Sequence, residues 1–240
     1  MKASRVMASG KIAASMQDLA VPGATLAYGV LLQRVVPERW HVPLNAVVAL
    51  SSLAVARRLG AGTVDCGLSK TTLGSGLRTG AVAAAVTAVG VAVASVPGRT
   101  RRLFAEERIA AHGRRRAVFE VMVRIPFGTT LSEEVIFRGS ILGLLLRRHP
   151  RPVAVALTSA LFGVWHVLPT LSSLQSAVLG RHAAGMAGSA VAVASVVGVT
   201  AAAGAGLAEL RLRSGSVLAP ALAHAALNAS AYVVARRTGH

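Results

Sequence analysis

Two adjacent carboxylates, Glu133 and Glu134, lie in an otherwise apolar stretch of the chain, and Arg138 follows four residues after the second. A charged side chain at membrane depth costs roughly 2.5–3.5 kcal/mol on insertion scales, so such a group persists where it is paired or used. Glu134 and Arg138 share a helix face and can form an ion pair. Glu133 points about 100° away from that face. It has no cation close to it in sequence, which makes it the preferred catalytic carboxylate.

Pro126 lies in the same apolar segment, 117–146, and predicts a bend or a break in its helix. If the helix continues through the proline, Glu120 and Arg124 fall close to the face that carries the ion pair. All these charged side chains could then form one structural ladder of salt bridges. This alternative accounts for the paired groups and leaves Glu133 unexplained.

Two further motifs place polar side chains one helical turn apart. Phe162 and His166 share one predicted helix, and His224 and Asn228 share another. A lone histidine on an apolar helix is more often a core residue, and a histidine and an asparagine can serve a hydrogen bond between helices. Together with the carboxylate, these groups predict one buried cavity. A carboxylate, two imidazoles and an amide suit water activation and oxyanion stabilisation.

These three motifs, in this order, resemble the CPBP family, which comprises the CAAX-type prenyl endopeptidases and the bacteriocin-processing relatives also called Abi. The family pattern is a double glutamate with an arginine four residues after the second, then Phe-x-x-x-His, then His-x-x-x-Asn or Asp. The match covers roughly residues 117–236. The matching residues are Glu133, Glu134, Arg138, Phe162, His166, His224 and Asn228. The resemblance implies an all-helical intramembrane endopeptidase that hydrolyses peptide bonds of membrane-associated proteins or peptides.

The resemblance also implies a role for each matching residue. Glu133 and His166 would activate a water, and His224 and Asn228 would stabilise the oxyanion. Glu134 is counted with the catalytic residues, and together with Arg138 it would support the site structurally. Phe162 would also support the site.

A divalent metal such as zinc is left open by the residues. Glu133, His166 and His224 are candidate ligands, since two histidines and a glutamate can bind zinc with one position free. The resembled family is commonly called metalloprotease, and a glutamate-driven mechanism is also argued for it. The chain has no His-Glu-x-x-His motif, which slightly favours a site without tightly held zinc.

The composition predicts the elements that must position these residues. Hydrophobic residues make up 53% of the 240, in runs of near-membrane length over most of the sequence, so we expect an all-α polytopic transmembrane bundle. About seven membrane segments can be marked: 19–33, 42–56, 80–97, 117–146, 152–168, 183–207 and 216–235. We expect residues 1–116 to supply N-terminal membrane helices and a basic connector. Residues 117–236 would form the catalytic helical core, in one compact unit with those helices.

The net charge of +17 indicates lipid rather than nucleic acid as a partner. The arginines form short clusters between apolar runs, which is typical of anchors at anionic headgroups, and no basic groove interleaved with aromatic residues is visible. Cys66 is the single cysteine, so an intrachain disulfide is excluded. We expect an integral protein of the plasma membrane of a bacterium, acting on a membrane-associated peptide or protein. The composition is typical of a GC-rich genome, which argues against a prenylated substrate.

Two other functional classes stay open at this stage. The same fold could serve as a non-catalytic immunity or scaffold protein, because a fold does not determine a function. A small transporter or proton relay could use Glu133 and the histidines as titrating groups, although repeat symmetry is not visible. The sequence leaves open the substrate, its prenylation, the membrane orientation and the oligomeric state.

Overall fold

The computed structural model describes residues 20–101, 104, 107–176 and 186–238. These residues form eight main helices and no strand, which confirms the expected all-α fold. The helices are α1 (20–34), α2 (His41–Arg58), α3 (Leu73–Ala94), α4 (114–146), α5 (Arg151–Trp165), α6 (Val167–Ser176), α7 (Met186–Ser214) and α8 (Leu218–Thr238). Shorter helical turns are Glu38–Trp40, Lys70–Thr72, Gly98–Arg101 and Glu107–Ala110.

Four helical segments of the described chain are long and apolar enough to cross a membrane. They are Lys70–Ala94, Arg151–Leu171, Ala190–Ser214 and Leu218–Thr238. Apolar side chains such as Val82, Val86 and Val93 of α3 remain exposed, as expected of a helix surface that faces lipid. The predicted count of seven membrane segments stays a prediction, because 19–33, 42–56 and 117–146 are not among the four. Residues 19 and 183–185 of the expected segments lie outside the described residues.

Helix α4 continues through Pro126 without a break. It consists of Arg114–Phe119, Glu120–Thr130, Leu131–Glu134, Val135–Ile141 and Leu142–Leu146, and the second and fourth of these have π-helical hydrogen bonding. The hydroxyl of Thr130 donates to the carbonyl oxygens of Ile125 (3.0 Å) and Pro126 (3.1 Å). These wider π-helical turns keep the backbone helical through Pro126. The sequence predicted a bend or a break at this residue, and the break does not occur. Such π-helical turns are frequent at functional sites.

The core is built around the second half of α4. Ile136, Phe137 and Leu142 are fully or almost fully buried there, and the same cluster includes Phe162 of α5 and Ala223 of α8. Helix α2 packs along α4, and α5 packs along α7. The core therefore joins the three helices that carry the sequence motifs.

Helix α3 packs closely against α8 and the residues just before it through two glycines spaced four apart, Gly76 and Gly80. A Cβ atom at Gly80 would lie 3.0 Å from the Cα atom of Ala219, and one at Gly76 would lie 2.6 Å from Cβ of Ser216. Small residues at this spacing allow membrane helices to pack closely. The position of α8, and of the motif on it, thus depends on a helix of the N-terminal region.

Candidate active site

A buried ion pair links α4 to α7 and α8. Glu134 and Arg138 are completely inaccessible to solvent, and Nη1 of Arg138 donates to Oε1 of Glu134 at 2.9 Å. Nη2 of Arg138 donates to the carbonyl oxygen of Gly204 in α7 at 3.1 Å. Oε1 of Glu134 also accepts from Nδ1 of His224 in α8 at 2.8 Å. The pair predicted from the spacing is therefore formed, and it also holds the ring of His224.

Phe162 lies between the charged and the imidazole side chains. The guanidinium of Arg138 lies 4.0 Å from the centre of its ring, a cation–π distance. Its ring also contacts His166 and His224 edge-on, with centroids 4.4 and 5.7 Å away. One aromatic side chain thus spaces the two histidines and stabilises the buried arginine.

Glu133 is nearly buried, and its two carboxylate oxygens have different surroundings. Oε1 accepts a hydrogen bond from Nε1 of Trp165 at 3.0 Å. Oε2 lies 3.9 Å from Nε2 of His224 and has no hydrogen-bond partner within the described residues. A buried carboxylate oxygen without a donor is costly. Oε2 of Glu134 also lacks a donor among the described residues, but of the two glutamates only Glu133 lines the cavity described below.

His166 follows the last residue of α5 and presents its ring at the end of that helix. Its Nδ1 lies 2.7 Å from the carbonyl oxygen of Phe162. Because a carbonyl oxygen only accepts, Nδ1 carries the proton, and Nε2 of the neutral ring has a free lone pair. The histidine can therefore accept a proton or a hydrogen bond at Nε2.

A cavity of about 740 Å³ joins the three motifs. Its wall includes Glu133 of α4, Trp165 and His166 at the end of α5, and Asn228 of α8. Asn228 is half-buried. The structure therefore brings the carboxylate of Glu133, the imidazole of His166 and the amide of Asn228 to one cavity. The ring of His224 is in contact with Glu133.

A second charged network lines the same cavity. Glu120 is buried, and Arg116 (2.6 Å) and Arg124 (3.1 Å) bind its carboxylate. Both arginines also bind Glu38, at 3.0 and 2.9 Å. In the described part of the chain, no ion pair joins this network to the one around Glu134. The single ladder considered from the sequence is thus divided into two networks, and in this one the arginines that bind Glu120 also pair with Glu38 of another element.

Sequence reasoning missed Trp165, which donates to Glu133, and two residues that connect it to α1 and α2, Tyr28 and Asn45. The hydroxyl of Tyr28 donates to Oδ1 of Asn45 (2.6 Å), and Nδ2 of Asn45 donates to the carbonyl oxygen of Gly128 (2.7 Å). The ring of Tyr28 stacks on Trp165, with centroids 6.3 Å apart. The sequence contained one indication of these contacts, the indole of Trp165, because a buried indole N–H usually has a hydrogen-bond acceptor.

The candidate metal ligands do not form a ligand set in this arrangement. Across the residues that the structure describes, no group of three or more His, Cys, Asp or Glu side chains could hold a metal ion. Nδ1 of His224 faces Glu134 and Nδ1 of His166 faces a carbonyl oxygen, so only Nε2 of each ring could bind a metal. We therefore derive no step of the reaction through a metal.

Comparison with known proteins assigns the family. Residues 116–230 match the model of the family described as "Type II CAAX prenyl endopeptidase Rce1-like". Comparison with curated proteins and with solved structures finds no match. The matched segment contains all seven motif residues and lies almost entirely within residues 117–236, the region whose motifs resemble the CPBP family. Residues 116–230 are therefore an Rce1-like domain of the type II CAAX prenyl endopeptidase kind, which supports placing the chain among the CPBP membrane proteins.

Proposed function

We propose that this protein is an intramembrane endopeptidase that hydrolyses a peptide bond of a membrane-associated protein or peptide. One observation carries the proposal. Glu133 lines a cavity together with His166 and Asn228, and its buried Oε2 has no hydrogen-bond donor in the described structure. Family membership supports CAAX-type endopeptidase activity. The family name also makes a prenylated substrate a candidate, which the composition of the chain argues against.

Glu133 and His166 are the proposed general bases. A water bound in the cavity would donate one proton to Oε2 of Glu133 and a hydrogen bond to Nε2 of His166. Its oxygen would then attack the carbonyl carbon of the substrate. General base catalysis of this kind contributes typically about 10²–10⁴-fold to a rate.

His224 and Asn228 are the proposed donors to the oxyanion. They lie one turn apart on α8, so both side chains leave the helix on one face. The side-chain amide of Asn228 supplies an N–H group. Nε2 is the atom of His224 that would donate to the oxyanion, because Nδ1 already faces Glu134. Donors of this kind act where negative charge develops in the transition state.

Collapse of the tetrahedral intermediate breaks the C–N bond of the peptide. The proton held by Glu133 passes to the departing amide nitrogen, so the hydroxyl of the water ends on the new carboxyl group and its proton on the new amine. Glu134, Arg138 and Phe162 take no part in these transfers. They hold α4, α7 and α8 at the distances on which the proton transfers depend.

Cleavage by the purified full chain in liposomes tests this proposal. We suggest three probes: a farnesylated peptide that ends in Cys-aliphatic-aliphatic-X, the same peptide without the lipid, and a membrane-spanning peptide. The products are identified by mass spectrometry. Glu133→Ala and His166→Ala should each reduce cleavage by about 10²–10⁴-fold. Glu209→Gln, in an exposed ion pair with Arg151, is the control and should cleave like the wild type.

Undiminished cleavage by both active-site variants would overturn the assigned mechanism. Full complementation of a deletion strain by the double variant Glu133→Ala/His166→Ala would instead favour the non-catalytic scaffold. Comparison of the two peptides decides whether prenylation is required.

A further inference from the structure

We propose that Trp165, held in place by α1, is a positioning residue that orients the carboxylate of Glu133. This inference rests on the proposed function, because it assigns to Glu133 the role of general base. Trp165 is the residue directly before His166. The end of α5 therefore presents the indole and the imidazole to the same cavity.

The hydrogen bond from the indole distinguishes the two oxygens of Glu133. Nε1 of Trp165 donates to Oε1 at 3.0 Å, while Oε2 has no donor among the described residues. A carboxylate without this bond could turn about its last side-chain torsion, which is broad and two-fold. With Oε1 held, Oε2 stays 3.9 Å from Nε2 of His224. The base is thus kept in one orientation relative to the proposed oxyanion donor.

Two aromatic rings hold the indole itself. Phe137 of α4 contacts it edge-on with centroids 5.7 Å apart, and Tyr28 of α1 stacks on it at 6.3 Å. Tyr28 is held in turn, since its hydroxyl donates to Asn45 of α2. Aromatic pairs in these geometries stabilise beyond the area that they bury. The orientation of Trp165 therefore depends on α1 and α2 as well as on its own helix.

Gly29 of α1 sets how closely that helix approaches the indole. A methyl group at residue 29 would lie 2.6 Å from Cζ3 and 2.9 Å from Cε3 of Trp165. The indole cannot move aside without losing its contact with Phe137 or its hydrogen bond to Glu133. Tyr28 and Gly29 both lie outside the segment 116–230 that matches the family. A helix of the N-terminal region thus acts on Glu133 through Trp165.

Steady-state cleavage by the full chain in liposomes, with whichever of the three probes the wild type cleaves, tests the effect on catalysis. Trp165→Phe keeps a ring and removes the N–H donor. We expect kcat to fall by about 10- to 100-fold, the range for a hydrogen bond to a charged group, at an unchanged KM. Gly29→Ala should lower kcat in the same way. Gly23→Ala in the same helix is the matched control, because a Cβ atom there meets nothing within 4 Å, and it should leave kcat unchanged.

The indole N–H signal tests the contact without any substrate. The chain has two tryptophans, so isotope-labelled tryptophan gives two indole signals, and Trp40→Phe assigns them. Glu133→Ala and Gly29→Ala should both shift the Trp165 signal, and Gly23→Ala should not. This measurement also covers the case in which Trp165→Phe does not fold.

The outcomes separate this inference from the proposed function. Wild-type kcat in Trp165→Phe, with Glu133→Ala inactive, overturns the inference and leaves the proposed function standing. A fall in thermal stability with kcat and KM both altered in Trp165→Phe means a structural role only, which also overturns it. If the wild type cleaves none of the probes, the proposed function fails. An indole signal that Glu133→Ala does not shift then overturns the positioning contact as well.

Discussion

Arg138 and Glu134 form an ion pair at 2.9 Å in which neither side chain is accessible to solvent. If one of the two side chains were removed, solvent water could not reach the charge that remains. Removing one residue of such a pair leaves an uncompensated buried charge and typically costs about 3–5 kcal/mol. The pair also serves as the anchor for His224, whose Nδ1 shares Oε1 of Glu134. These contacts predict a structural role for the second glutamate and a chemical role for the first.

A double-mutant cycle on this pair should show strong coupling. Glu134→Gln and Arg138→Met should each lower the free energy of unfolding by about 3–5 kcal/mol, and the double variant should lose less than the sum. SDS titration in mixed micelles measures these values. The exposed pair Arg151–Glu209 is the control and should couple by less than about 1 kcal/mol. Additive losses at the buried pair would contradict this prediction.

Glu133→Gln should separate activity from stability. The amide is isosteric and keeps an oxygen that can accept from Trp165, so we expect the free energy of unfolding to change by no more than about 1 kcal/mol. Cleavage should fall by about 10²–10⁴-fold because an amide cannot accept the proton of the water. Parallel cleavage and unfolding assays check both values. A variant that keeps its activity but unfolds readily would reverse the roles assigned to the two glutamates.

Asn228→Ala should lower kcat by about 10²–10³-fold, the range for the loss of one oxyanion donor, at an unchanged KM. The reason is that the amide would bind the developing charge and not the ground state. Steady-state kinetics with the cleaved probe measures the effect. Ser230→Ala, on the same helix and equally half-buried, is the control. A rise in KM with an unchanged kcat would show that Asn228 binds substrate instead.

Chelation should leave cleavage unchanged. The three candidate ligands Glu133, His166 and His224 form no metal-binding group in the described structure. Cleavage before and after dialysis against EDTA, together with the metal content of the purified protein, checks this expectation. Stoichiometric zinc, with activity lost on dialysis and restored by zinc alone, would show that the ligands rearrange around a metal.

Gly80→Ala should destabilise the protein even though alanine favours a helix. The added methyl group would lie 3.0 Å from the backbone of Ala219, so α3 and α8 must separate. Strain of this kind costs typically about 1–3 kcal/mol. Gly90→Ala in the same helix meets nothing within 4 Å and should be neutral or stabilising. Thermal unfolding of both variants in detergent makes the comparison, and equal midpoints would argue against close packing at Gly80.

Local contacts were the part of the site that could be predicted from the sequence. The ion pair Glu134–Arg138 and the contact of Phe162 with His166 each join residues four apart. Helical periodicity alone brings such residues together. The order of the motifs also indicated the family that the comparison then showed for residues 116–230. The roles of the individual residues in catalysis stay predictions.

Contacts between distant residues could not be predicted in the same way. Periodicity gave no reason for His224 to bind Glu134 rather than Glu133, or for Glu38 to pair with an arginine that also binds Glu120. Nor did it show that π-helical turns would carry α4 through Pro126, because a proline predicts only that the ordinary α-helical hydrogen bond is lost.

The amino-acid sequence by itself determined the helical class and the apolar surfaces that favour a membrane, because these depend on composition. It also determined which polar groups share a helix face, because this depends on a period of about 3.6 residues. Only the tertiary structure decided which of the two glutamates lines the cavity and which is enclosed with Arg138. Trp165 and His224 approach the glutamates from other helices, and the positions of those helices depend on close packing over the whole bundle.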